Sequence, residues 1–234
     1  MRDYKMANVK QAFARLVEPS LIAIYGANES RPEVPEQVGS GVLIQHRDRP
    51  VLVTAKHVLT GQNFDEDPAE KAVMVDGRWV YIGDSGREVI QSKDLDLVVT
   101  CMDELATKKC LSADRITGSA SIPKIASIGG YLARDFKRSQ VDGVLRPSPL
   151  VYSNITTKMP CGKIGLKYPK RHNVTDEGEA VFNPIPRGLS GGPMLDTVAL
   201  LKGSVLIVGV FTDQRDGLAF GEHGLAIREF LDSM

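Results

Sequence analysis

Cysteine is scarce in this chain: Cys101, Cys110 and Cys161 are the only three among 234 residues. An odd and sparse set excludes a disulfide framework, and all three read as structural residues. Net charge is also absent, because Lys plus Arg and Asp plus Glu number 29 each. A balanced chain has no global field to draw in nucleic acid or an anionic membrane surface, so neither is expected as a partner. No stretch approaches the roughly 18 consecutive apolar residues of a membrane span. The opening Met1-Arg2-Asp3-Tyr4-Lys5 lacks the apolar run of a signal peptide. With thiols reduced, the expected location is the cytoplasm. No cluster of His, Cys and carboxylates has metal-ligand spacing, and no metal or other cofactor is expected. Neither a Pro/Ser-rich linker nor an internal repeat divides the chain.

What is present is an ordinary globular composition, 42% hydrophobic and 25% charged. A chain of this length buries a substantial core without staples. Val9, Phe13, Leu16 and Val17 recur at helical spacing between Met6 and Val17, with Asn8 as a cap and Pro19 as a stop. This predicts a short helix packed on the body, with a partner-docking helix as the alternative. Short runs rich in β-branched residues follow, separated by Gly, Pro, Asp and Asn. They are Leu21–Tyr25, Val38–Gln45, Val51–Thr54, Lys71–Val75, Trp79–Ile82, Leu97–Cys101, Lys124–Ile128, Val141–Val144, Leu150–Ile155, Lys163–Leu166, Val181–Asn183, Met194–Leu195 and Val205–Phe211. Ile227–Leu231 reads as a final helical turn or two. The pattern is all-β, and strand counting leaves a sandwich and a pair of barrels both open. The small, polar Thr117–Pro123 is the natural seam. The expected division is 1–19 helical segment, 20–118 first β-barrel, and 119–234 second β-barrel with a C-terminal helix. Lys163, Lys167, Lys170 and Arg171 read as a solvated basic loop.

Three segments carry chemistry. Gly39-Ser40-Gly41-Val42-Leu43-Ile44 and Val51-Leu52-Val53-Thr54-Ala55-Lys56-His57 read as a hairpin whose second strand ends in a histidine. A rigid strand can hold such a ring as a general base, although a lone His is ordinarily structural. Asp94-Leu95-Asp96-Leu97-Val98-Val99 places a carboxylate at the mouth of an apolar strand. A buried Asp needs a donor, and an imidazole N–H supplies one. The pattern itself leaves Asp94 and Asp96 both open. In Gly188-Leu189-Ser190-Gly191-Gly192-Pro193, a serine sits among glycines. Such a turn can aim the Gly188 and Ser190 N–H groups at one point, as an oxyanion hole requires.

With these motifs in the order His, Asp, Ser, the sequence resembles the trypsin-like (chymotrypsin-fold) serine peptidases, and among them the bacterial Deg/HtrA-type protease domains. GSGVLI, VTAKHVL, DLDLVV, GLSGGPML, VGVFT and HGLAI carry the resemblance, from about residue 38 to residue 227. It implies two six-stranded antiparallel β-barrels with short N- and C-terminal helices. It also implies a serine endopeptidase with His57 as base, Asp96 as its orienter and Ser190 as nucleophile. Gly188 and Ser190 would form the oxyanion hole. Gly209, Val210, Phe211 and Thr212 would form the strand that pairs with substrate, and His223 would stand in the specificity pocket wall. His46 and His172 receive no role. Leu189 replaces the Asp that secreted trypsins use in activation, so trypsin-style maturation is not expected. The chain ends at Met234, soon after HGLAI, so the PDZ domain usual in the Deg type is not expected either. A protein or peptide substrate is the expected partner, with a regulatory protein as a further one. The rival reading is a peptide-binding or partner-regulated protease-fold module with low activity of its own.

Overall fold

The computed structural model describes residues 6–28, 31–62, 66–84, 86–133, 149–169, 173–174, 180–181 and 184–234. The expected strand Val141–Val144 lies outside them, as do Lys170, Arg171, His172 and Asn183. Helix α1 is Met6–Leu16. The first sheet holds β1 (Leu21–Asn28), β2 (Arg31–His46), β3 (Arg49–Thr54), β4 (Ala72–Val75), β5 (Arg78–Tyr81), β6 (Val89–Gln91), β7 (Val98–Cys101) and β8 (Leu111–Ser112). Helix α2 (Lys56–Thr60) follows β3. The second half holds β9 (Ile125–Tyr131), β10 (Pro149–Lys158), β11 (Lys163–Lys167), β12 (Asn173–Val174), β13 (Ala180–Val181), β14 (Pro193–Asp196), β15 (Ile207–Arg215) and β16 (Leu218–His223). Helices α3 (Thr197–Leu201) and α4 (Gly224–Asp232) pack beside them.

Six strands of the second half close into a barrel in the order β10-β11-β16-β15-β14-β9, while β12 and β13 pair separately. The first sheet runs β5-β4-β1-β2-β3-β7-β6, with β8 beside β2. Among the described residues no ladder joins β5 to β6, so the ladders of this half form a half-barrel. The Ile82 amide turns back to the Lys71 carbonyl at 2.7 Å, extending the β4 side instead.

Local chemistry explains the tight corners. Arg47-Asp48 joins β2 to β3, Asp76-Gly77 joins β4 to β5, and Asp216-Gly217 joins β15 to β16, each with both residues at positive φ. Such two-residue loops match the twist of paired strands, and Asp-Gly fills them with least strain.

Strand periodicity sorts the core into layers. On β1, Ile22 and Ile24 point into the first half-barrel, where Leu43, Leu52, Val58, Leu59 and Val98 also lie. Leu21, Ala23 and Tyr25 point the other way, into a layer shared with Val42, Val53, Leu195, Ile207 and Val210. The second barrel is filled by Ile128, Ile164, Met194, Val208 and Phe211, among others. The expected N-terminal helix joins the shared layer through Val9, Phe13 and Val17, all buried. Gly129 makes this possible, because a Cβ there would meet the Phe13 ring. No helix among the described residues is long and apolar enough to cross a membrane.

Candidate active site

His57 lies just past β3, in α2, and not at the strand end that the sequence suggested. Gly39 permits this, since a Cβ there would meet the Val58 side chain next to His57. The His57 ring is held at two points. Its Nδ1 lies 2.7 Å from Asp96 Oδ2, and the His57 backbone N–H donates to Asp96 Oδ1 at 3.0 Å. Both side chains are mostly covered, at 12% and 19% exposure. Asp94 is exposed, so Asp96 is the aspartate that meets the ring. Burial alone would push the Asp96 carboxyl up. The hydrogen bonds and charge of His57, with the more distant Lys163, outweigh burial and hold it below the ordinary carboxylate range.

The Ser190 turn is held from both halves of the molecule. Gly188 adopts φ +93°, a backbone region that side chains rarely enter. The Arg187 carbonyl accepts from Ala133 N–H at 3.0 Å, which turns the Gly188 N–H the opposite way. The Gly188 carbonyl accepts from Ser40 Oγ at 2.6 Å and from Gln37 Nε2 at 3.2 Å. Ser40 N–H donates to the Ser190 carbonyl at 2.7 Å. Among the described residues neither Gly188 N–H nor Ser190 N–H is taken by a backbone carbonyl. Gly191 is pressed against the Ser40 carbonyl and the Thr54 hydroxyl, where a Cβ would collide with both. Leu189 is fully buried in the second barrel's core. The Ser190 hydroxyl itself donates to the Thr212 carbonyl at 3.2 Å.

The register of β15 locates its open edge. Val210 pairs with Pro193 on one side and Glu222 on the other. Phe211 exchanges backbone bonds with Gly191 and Gly192 at 2.7 and 2.9 Å. Gly209, Val210 and Phe211 are therefore committed within the barrel. A bulge at Thr212 ends the β14 side, and Asp213, Gln214 and Arg215 pair with β16 alone. His223 ends β16, where its Nδ1 accepts the Leu225 N–H at 3.2 Å and caps α4. Burial lowers its affinity for a proton, against a weaker opposing pull from the Ser121 backbone.

Two contributors escaped the sequence reading. Gln37, fully buried, donates to the Tyr131 carbonyl at 2.8 Å as well as to Gly188. Glu222, also buried, accepts the Asp96 backbone N–H at 3.2 Å and pairs with Lys163 at 3.0 Å. Lys163 thus belongs to the barrel wall and not to a solvated loop. Among the described residues no cluster of three His, Cys, Asp or Glu could hold a metal ion.

No protein-family model matches the chain, and no curated protein sequence does. A solved structure of a human pathogenic astrovirus serine protease matches with a TM-score of 0.52 and 12% identity, over 88% of this chain and 89% of that one. That likeness speaks to the path of the backbone alone. Together with the half-barrel, the closed six-stranded barrel and the flanking helices, it gives this chain the chymotrypsin-like two-barrel, all-β fold.

Proposed function

We propose that the chain is a serine endopeptidase acting on protein or peptide substrates in the cytoplasm. The observation that carries the reading is the two-point bond between His57 and Asp96, and a serine turn whose Gly188 and Ser190 amides no described backbone carbonyl takes adds to it. Substrate lies along the open β15 edge beyond Thr212 as an added strand. Its backbone N–H takes over the Thr212 carbonyl, and the Ser190 hydroxyl turns to His57 Nε2. Ser190 Oγ attacks the scissile carbonyl carbon while its proton passes to His57 Nε2. The oxyanion accepts from the Gly188 and Ser190 N–H groups. His57 then gives its proton to the leaving amine as the C–N bond breaks, and water hydrolyses the acyl-enzyme by the same route. Asp96 keeps the ring in its Nδ1–H tautomer and stabilises the imidazolium.

Ser190→Ala abolishes labelling by a fluorophosphonate probe and cleavage of a casein-like substrate. Cleavage at the native rate by that variant rules the mechanism out. The resting bond from Ser190 to Thr212 also favours a second reading, in which the chain is idle until a partner or substrate displaces it. Labelling of the isolated chain supports free activity; labelling only after a partner is added supports restraint.

A further inference from the structure

The wall of the second barrel carries an ion pair that acyl transfer does not itself use. Glu222 on β16 and Lys163 on β11 are register partners, with Nζ and Oε1 3.0 Å apart. The Glu222 side chain is 2% exposed and that of Lys163 is 39% exposed. A carboxylate buried this deeply is costly, and a well-packed apolar residue would close the barrel without that cost. Its Oε1 has a second use: it accepts the Asp96 backbone N–H at 3.2 Å, across a separation of 126 residues and from the opposite half of the molecule. Lys163 is also the cation, besides His57, that bears on the Asp96 carboxylate. Other charged groups near the dyad lie elsewhere. Lys56, beside His57 in α2, donates to the Ser92 carbonyl at 3.2 Å, and Lys93 and Asp94 are exposed on the loop before Asp96.

We propose, on the reading that His57 is a base oriented by Asp96, that Glu222 and Lys163 are positioning residues for that dyad. Glu222 fixes the Asp96 backbone from the second barrel. Lys163 cancels the Glu222 charge, so that Asp96 remains the carboxylate that governs the ring.

The test separates charge from shape. Glu222→Gln keeps an oxygen for the Asp96 N–H but leaves Lys163 uncompensated. An uncompensated cation disfavours the imidazolium. The midpoint of the His57 ring titration, followed by NMR, therefore moves down by about 0.5 pH unit or more. The chain has four histidines, and His57→Gln assigns the signal. The acidic limb of fluorophosphonate labelling moves in the same direction. Glu222→Gln combined with Lys163→Met removes both charges and brings the midpoint back to within about 0.2 pH unit of wild type. A purely structural pair would leave the double variant at least as perturbed as the single one. An unmoved midpoint in Glu222→Gln, or a double variant further from wild type than the single, overturns the proposal. A wild-type chain that is never labelled refutes the protease reading instead, and the NMR titration still decides the role of the pair.

Discussion

Ser40→Ala removes one oxygen and adds no bulk, so its effect can be worked from hydrogen bonds alone. In the native fold Ser40 Oγ donates to the Gly188 carbonyl at 2.6 Å and accepts the Tyr131 N–H at 2.9 Å, at a fully buried position. Alanine leaves the Tyr131 amide without this acceptor, at a cost of about 1–3 kcal/mol, and forfeits about 1 kcal/mol more at Gly188. The sum, about 2–4 kcal/mol, lowers the melting temperature by roughly 4–16 °C for a chain of this size. The chemical effect is separate. Gly188 then relies on Gln37 Nε2, 3.2 Å away, and the turn that aims its two amides loosens. Outright loss of an oxyanion donor costs about 100- to 1000-fold, so a loosened one lowers the acylation rate by about tenfold. Circular dichroism melts and the second-order rate of fluorophosphonate labelling measure the two effects. A melting temperature within about 1 °C of wild type together with an unchanged labelling rate refutes the reasoning. A lower melting temperature with an unchanged rate means that Ser40 joins the two halves without aiming the oxyanion turn.

Asp96→Asn lowers labelling by about 10³- to 10⁴-fold, because the amide does not hold the working tautomer. The native Asp96 carboxyl sits below its ordinary value, so its stabilising contribution is complete above the carboxylate range and is lost as pH falls through the depressed value. Acid-unfolding curves of the variant flatten over that interval. Phe13→Ala costs about 3–5 kcal/mol in urea unfolding, and Gly129→Ala, harmful alone through its clash with the Phe13 ring, becomes tolerated in the Phe13→Ala background. His223 has its proton affinity lowered by burial. Its contribution to stability is therefore full above the unfolded value of about 6.5 and declines as pH falls below it, until the folded-state value is passed. His223→Asn keeps a cap for α4 and removes that slope from urea titrations at successive pH values.

Most strands are legible as short runs rich in β-branched residues between turn residues, as Leu21–Tyr25 and Val51–Thr54 are. Asp96 could be preferred to Asp94 only through the family resemblance; the geometry adds that Asp94 is exposed and Asp96 touches the ring. β16 escaped notice although Asp216-Gly217 signals a hairpin, because its glycine and charged residues hide the alternation. His57 shifted from strand to helix because Ala55 ends β3, which hydrophobicity does not mark. The basic loop reading failed at Lys163 for a related reason. Its counter-charge, Glu222, is a register partner 59 positions away, and pairing across a barrel leaves no mark in local sequence. Gln37 was equally invisible, since a buried amide gains its meaning from carbonyls supplied by distant turns. The open edge of β15 lies a few residues past Gly209, because the bulge at Thr212 depends on where β14 stops, which local sequence does not mark.

Four of the bonds that shape the site share one property. Ser40 to Gly188, Gln37 to Tyr131, Ser40 to Ser190 and Asp96 to Glu222 each have one end on the first half and the other on the second. On the proposed reading, neither half alone holds a finished catalytic centre. A slight tilt of one half against the other lengthens several of these bonds at once, so the centre is assembled or dismantled as a unit. If the chain is a protease as proposed, competence to react is a gauge of how well the two halves are seated, and anything that wedges or clamps the seam acts on chemistry without touching Ser190.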